Sequence, residues 1–304
     1  MSIRLLTGEN SYQAFTRLQK LKINDSIVID AEDAQTNDIS QAVQGQSLFS
    51  TVDKTQVIIK YLFSDKKSIE LIKDRLEGLA KDDSIDLIIY DPQADKRTKL
   101  YKDLLKIKAV EEFKNLNEFA LLKWVQEAAE FDIKPNIAKK LVDNTGIDQW
   151  RLHNELQKLK MYEGEVTIEL VDSLVDKTVE SSIFDMLDML AKSDADAATA
   201  ELDSLLDQGA EPIYISSMLA WQFDNVLKVY LYRNDPEQEL TSNYKISPYV
   251  IRKIRPLANK MSRTKLKKIF EELVDLEYTL KNRNVDKKLT IKVALSKVGQ
   301  IISS

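Results

Sequence analysis

Asp91 is the residue best placed to do chemistry in this chain, because it closes the apolar run LIIYDP, and an apolar strand ending in Asp is how ATPases hold magnesium. The pattern goes no further. Pro92 follows where a second carboxylate would be needed, so a turn-forming Asp-Pro after a strand is the simpler reading. A phosphate loop needs two glycines five positions apart followed by Lys and Ser or Thr, so that backbone amides can close on phosphate with no Cβ in the way. Seven glycines are present, and five positions beyond the six that have chain enough ahead stand Gln13, Ser50, Asp83, Arg151, Glu169 and Tyr214. The loop is therefore absent, and so is the dinucleotide fingerprint, since no two glycines are separated by one residue. With no Cys and His153 as the sole His, thiol catalysis, disulfides, Cys-ligated zinc and His-rich metal sites are excluded. His153 has no Ser nucleophile nearby. The carboxylate pairs Asp194 with Asp196 and Glu271 with Glu272 lie among lysines or in polar turns and read as solvated. No catalytic residue, metal or cofactor is expected.

The elements that would carry a site fall into a clear order. Strand-length, β-branched runs occur at Ile3–Thr7, Ser26–Asp30, Gln56–Leu62, Ile85–Tyr90 and Lys108–Phe113. Helix-like stretches at Ser11–Lys22, Asp38–Gln44, Lys66–Ala80 and Lys96–Lys106 separate them. This alternation implies right-handed crossovers and a mainly parallel sheet covered on both faces, a three-layer α/β domain over residues 1–114. VIIK and LIIY are continuous apolar runs, as strands buried on both sides require. From Asn115 onward helical spacing takes over, with apolar positions at Phe119, Leu122, Trp124, Val125, Ala128, Ala129 and Phe131. Helices are expected at Asn136–Asn144 and Asp148–Tyr162, with Gly146 and Gly164 as C-caps, and Thr167 is expected to N-cap Ile168–Val175. This makes a small helical domain, 115–179. A larger helical domain, 180–304, is punctuated at Ser193-Asp194, Gly209 to Pro212, Asn234 to Pro236 and Ser247-Pro248.

Hydrophobic residues are 43% of the composition and charged residues 31%, as in ordinary globular chains. No apolar stretch reaches membrane-spanning length or forms a signal-peptide core, so a cytoplasmic protein without a membrane partner is expected. The net charge of -5 conceals a split: residues 241–304 hold fifteen basic and five acidic side chains, a balance of +10, leaving -15 for the rest. One end could meet an anionic partner, or a helix pair could simply carry Lys-rich outer faces. A second oddity is GQSLFST, in which Leu48 and Phe49 sit in a polar connection between a helix and a strand. They could anchor a partner's pocket or fold under and pin the loop to the sheet.

Several segments, taken in order, resemble one family. LLTGENSYQAF is similar to the opening strand and acidic turn of the delta-subunit family of bacterial DNA polymerase III clamp loaders, where related ATPases keep a phosphate loop. QSLFSTVDKTQVII resembles that family's Ser-Leu-Phe and strand element, and DPQADKRTKLYKDLLK its Asp-Lys-Arg stretch. The segment from KAVEEF through HNELQKLKMY to VTIELVDSLV resembles the lid domain. ESSIFDMLDMLAKSD and ISPYVIRKIRPLANKMSRTKLKKIFEELVDLEYTLK resemble the collar domain. One departure is Lys281-Asn282-Arg283-Asn284, where the family has Lys-x-Gly.

The resemblance implies an AAA+-like α/β domain without a phosphate loop, a helical lid and a helical collar that assembles with neighbours. It implies a non-catalytic subunit that opens the sliding clamp for loading on primed DNA, within a holoenzyme whose nucleotidyltransferase activity lies elsewhere. By position the clamp-contacting pair falls on Leu48 and Phe49. The implied partners are the sliding clamp (the beta subunit), the gamma/tau and delta-prime loader subunits, and primed DNA. Arg252, Lys253, Arg255, Lys260, Arg263 and Lys265 are the candidate DNA contacts. Competing readings are a nucleotide-dependent AAA+ ATPase or helicase-like protein with a degenerate loop, and a helical nucleic-acid scaffold using only its basic end.

Overall fold

In the computed structural model, which describes residues 3–44 and 54–304, five short strands alternate with helices as the apolar pattern requires. They are β1 (Ile3–Thr7), β2 (Ile27–Asp30), β3 (Thr55–Lys60), β4 (Ile85–Tyr90) and β5 (Val110–Glu112). All pair in parallel, in the order β2-β3-β4-β1-β5, with Leu5 flanked by Ile89 on one side and Val110 on the other. Four helices cross over between them: α1 (Ser11–Leu21), α2 (Thr36–Ala42), α3 (Lys66–Lys81) and α4 (Lys99–Lys106).

The two-residue period of a strand sends neighbouring side chains to opposite faces. Leu6, Ile58, Ile88 and Tyr90 accordingly pack with Ala14 and Leu18 of α1. Leu5, Val57, Ile59, Leu87 and Ile89 pack with Ile39 of α2, Ile72 and Leu76 of α3, and Leu100 and Leu104 of α4. Each such fully buried aliphatic side chain contributes about 1.5–3 kcal/mol of transfer free energy, which is why continuous apolar runs, rather than alternating ones, mark the central strands.

One polar network interrupts this apolar sheet, at the end where the strands begin. Gln56 of β3 is buried, and its amide nitrogen donates to Asp86 Oδ2 (2.8 Å) and to the Leu21 carbonyl (3.0 Å). Its oxygen accepts from the Ile23 amide (3.0 Å) and the Ser26 hydroxyl (2.5 Å). Arg4 closes the network on Asp86 Oδ1 at 2.9 Å. The network ties the end of α1 and the start of β2 to the central strands. Asp86→Ala would strand the Arg4 guanidinium and one Gln56 donor in a partly buried place, and is expected to cost about 2–4 kcal/mol of unfolding free energy in urea denaturation.

The chain separates into two compact units, Met1–Leu116 and Asn117–Ser304. The second is entirely helical among its described elements: α5 (Glu118–Ala128), α6 (Pro135–Thr145), α7 (Gln149–Lys160), α8 (Ile168–Leu174), α9 (Val179–Ala191), α10 (Ala195–Asp207), α11 (Pro212–Leu231), α12 (Glu237–Tyr244), α13 (Pro248–Lys260), α14 (Arg263–Asn282) and α15 (Lys287–Ser303). The expected boundary after residue 179 lies inside this unit. Helix starts follow local chemistry: Asn117, Asp148, Thr167, Thr178, Asp194, Ser247, Ser262 and Asp286 each accept a hydrogen bond from an amide of the first turn. Pro135, Pro212 and Pro248 occupy first-turn positions where no amide hydrogen is needed. Gly146 caps α6 at φ +79. Gly164 does not cap α7, contrary to expectation, because that helix ends earlier, at Met161, whose amide turns back to Leu159 and Lys158.

Candidate functional site

In α/β sheets the turn after the first strand is where a phosphate would bind, held by free amides at the start of the next helix. Here that turn is closed by protein. The Phe113 amide donates to the Thr7 carbonyl (2.8 Å), and the Asn10 amide donates to the Phe113 carbonyl (3.0 Å). Gly8 lies so close to this crossing strand that a Cβ on it would sit 2.3 Å from the Phe113 carbonyl oxygen, and its φ is +124. The Asn10 side chain accepts from the Gln13 amide (3.0 Å), filling the first-turn position of α1 that an anion would use. Sequence reasoning found the missing loop but not the segment that replaces it. The sign of that segment was Gly8 itself, a glycine retained after β1 with no companion glycine.

Asp91 is 4% exposed at the end of β4. Its carboxylate accepts from the Phe63 amide (2.7 Å) and the Gln93 amide (3.1 Å), and its own amide donates to the Leu6 carbonyl (3.0 Å). It therefore joins three strand ends and has the turn-forming role the Asp-Pro pair suggested. Burial pushes its pKa above the ordinary carboxylate value, with the two amides opposing that shift and Glu32 adding to it. Beside it Tyr90 is pushed up to about 12, by burial first and then by Tyr61 and the Asp91 charge. His153 is half-buried on α7, remote in sequence from any hydroxyl nucleophile element. Among the described residues no three His, Asp or Glu side chains are grouped as metal ligands.

Leu48 and Phe49 lie outside the described residues, between α2 and β3 of the first unit. The six basic candidates are on α13 and at the start of α14, and they are not equivalent. Arg252 pairs with Glu118 (2.8 Å), and Lys253 pairs with Asp143 (2.7 Å) while its ammonium stands 5.7 Å from the centre of the Tyr249 ring. Lys260 donates to the carbonyl of Ala191, the last residue of α9 (2.6 Å), and Lys265 to Ile302 near the end of α15 (2.8 Å). Lys288 reaches Leu206 at the end of α10 (3.4 Å) in the same way. A lysine at a helix C-terminus satisfies an orphan carbonyl and the negative end of the helix dipole together. Arg255 and Arg263 make no ion pair or hydrogen bond among the described residues. The basic excess is therefore partly spent on internal acids and helix ends, an outcome that charge counting cannot separate from a binding face.

Comparison with known proteins agrees with this architecture. Residues 180–298 match the family described as "DNA polymerase III delta subunit, C-terminal domain". That similarity is confined to the C-terminal part of the eleven-helix second unit, residues 180–298. The chain is also 24% identical over 290 residues to the DNA polymerase III subunit delta of Bacillus subtilis (strain 168), covering 86% of this chain and 81% of that one. A solved structure of the Bacillus subtilis DNA clamp loader delta protein has a similar fold, with a TM-score of 0.70, 21% identity, and coverage of 99% of this chain and 96% of that one. No helix among the described residues is long and apolar enough to cross a membrane.

Asp91 gives the site a measurable signature. A carboxyl whose folded pKa is raised binds its proton more tightly when folded, so its contribution to stability falls as pH rises from about 4. Asp91→Asn removes that charge and keeps an acceptor. In urea midpoints from pH 4 to 7, the stability difference between variant and parent should move in the variant's favour and level off above the raised value.

Proposed function

We propose that this delta-type chain is a clamp-loader subunit that does no chemistry itself and opens the sliding clamp through Leu48 and Phe49. The observation that carries the reading is the match of 180–298 to the delta subunit's C-terminal domain, joined to a whole-chain fold like that of a clamp-loader delta protein. The closed turn at Gly8 and Phe113 supports a subunit moved by its neighbours' ATP cycle, because amides that would hold phosphate are already bonded. The same closure weighs against the nucleotide-dependent ATPase reading. The proposed layout is an AAA+-like domain at 1–114, a lid at 115–179 and a collar at 180–304.

Burying the two apolar side chains in a pocket on the clamp supplies about 3–6 kcal/mol, at 1.5–3 each. A micromolar complex needs about 8 kcal/mol, so the pair is a hot spot within a wider interface. Binding opens the ring only by the margin with which the subunit prefers the open surface over the closed one. For primed DNA, Arg255 and Arg263 are the contacts left available among the six basic candidates. For the neighbouring loader subunits, the C-terminal helices expose two sets of apolar residues. Tyr214, Trp221 and Leu231 are exposed on α11. Val274 (65%) and Tyr278 are exposed on α14, and on α15 the exposed Leu289 and Val293 line a groove of about 310 Å³ between those two helices. Two unlike faces suit a ring in which each subunit meets two neighbours heterologously.

Leu48→Ala with Phe49→Ala should weaken binding to the cognate clamp by about a hundredfold to ten-thousandfold, at 1.4 kcal/mol per tenfold, with the circular dichroism spectrum unchanged. Unaltered clamp affinity in the folded variant would remove the mechanism. Trp221→Asp and Tyr278→Asp should each lower co-elution with the other loader subunits in size-exclusion chromatography while leaving clamp binding intact.

A further inference from the structure

The strand β2 ends the sheet, and its side chains are placed unlike those of the strands beside it. β3 and β4 bury their apolar residues, whereas Ile27 of β2 is 43% exposed and Val28 is 42% exposed. Ile27 pairs with Val57 and Val28 with Ile58, so the two side chains stand on opposite faces of the sheet. Val57 and Ile59 pack under α2, α3 and α4, while Ile58 packs with Ala14 and Leu18 of α1. Both apolar layers therefore run out at β2 with a half-open side chain. Sheet edges in soluble proteins are commonly guarded by Lys, Pro or an inward charge, and the residues from Ser26 to Ile29 include none of these.

The main chain and the charges around it say what fits there. The Ala31 amide donates to the Lys60 carbonyl (2.9 Å), so in this parallel ladder Ile27 and Ile29 also turn their main-chain groups inward, to β3. Val28 then turns both its N–H and its C=O outward, as Asp30 does its N–H, and no described strand lies on that side. Such a row is matched by an extended chain, whose own N–H and C=O groups have the same spacing. Residues 22–38 hold one basic side chain, Lys22, and five acidic ones. Of the acids, Asp25 before the strand and Glu32 and Asp33 after it are exposed and make no ion pair among the described residues. Two copies of the edge paired antiparallel about Val28 would bring Asp25 of one copy beside Glu32 of the other, and opposed like charges disfavour that pairing. A basic segment meets no such repulsion.

We propose that the β2 edge docks an extended segment of a partner protein, with consecutive apolar residues flanked by Lys or Arg, as a sixth strand of the sheet. The outward groups of Val28 and Asp30 bond its main chain. Its apolar residues must be consecutive rather than alternating, because Ile27 and Val28 are open on opposite faces and neighbouring residues of the added strand cover one each. Its basic flanks meet Asp25, Glu32 and Asp33. The inference concerns the first unit alone and stands apart from the proposed clamp contact.

The test uses the full chain and, as probe, a fluorescein-labelled peptide of sequence KKTVIVTRK. Anisotropy titration should give saturable binding that weakens as salt is raised, and amide hydrogen exchange should slow in the segment holding Val28 and Asp30. Glu32→Lys with Asp33→Lys should weaken binding by about tenfold or more, and Val28→Pro, which removes the outward amide and leaves the inward bonds of β2, should do the same. Should Val28→Pro fail to fold, the probe N-methylated at its three central residues carries the same loss into the peptide and should bind the parent chain about tenfold or more weakly. Absence of saturable binding, equal affinity for an acid-flanked peptide EETVIVTEE, or full affinity of the N-methylated probe would overturn the proposal. So would a dimer of the parent chain in sedimentation equilibrium that Val28→Pro dissolves, since the edge would then belong to a second copy.

Discussion

Three hydrogen-bonded residues, Thr7, Asn10 and Phe113, hold the first unit in its particular shape. Their bonds bring the chain leaving β5 across the end of β1, and only a glycine at position 8 leaves room for it. The consequence runs in both directions. The crossing fixes the start of α1, whose Ala14 and Leu18 cover one face of the sheet, and it occupies the amides that a nucleotide would need. Stability and the closure of this turn are therefore one feature. Opening the turn to a phosphate would require removing a structural crossing as well as adding glycines.

Most of the first unit was legible because its signals are local. β1 and β4 run over the residues their apolar stretches predict, and α3 differs by one residue, since a strand buried on both faces leaves little freedom in where the apolar run ends. The helices of the second unit were legible for the same reason: Asn, Asp, Ser, Thr and Pro mark their starts. Where the signal was ambiguous, the reading slipped. Gly164 was expected to end α7, yet Met161 ends it, because an α-helix can close with an αR residue and a turn without any glycine.

The features that sequence could not supply are those made by residues far apart in the chain. Gln56 looks like a polar blemish in a strand until Asp86, Arg4, Ile23 and Ser26 are brought around it. Lys253 and Asp143, separated by more than a hundred positions, gave no sign of their pairing. Asp91 was the exception, because Asp-Pro after a strand carries its turn chemistry in two adjacent residues. The placement of the proposed clamp contact at Leu48 and Phe49 rests on resemblance, since these residues lie outside those the structure describes.

The lysines that close helix ends alter how the second unit looks from a distance. Lys260, Lys265 and Lys288 each set a positive charge beside the negative end of a helix, and Lys292 and Lys297 face Asp203 and Glu272. A polyanion approaching the C-terminal helices therefore meets an array of small dipoles with scattered cations between them, rather than a sheet of uniform positive potential. Such a surface offers few free cations to displace the counterions condensed along a polyanion, so the electrostatic pull it exerts is short-ranged.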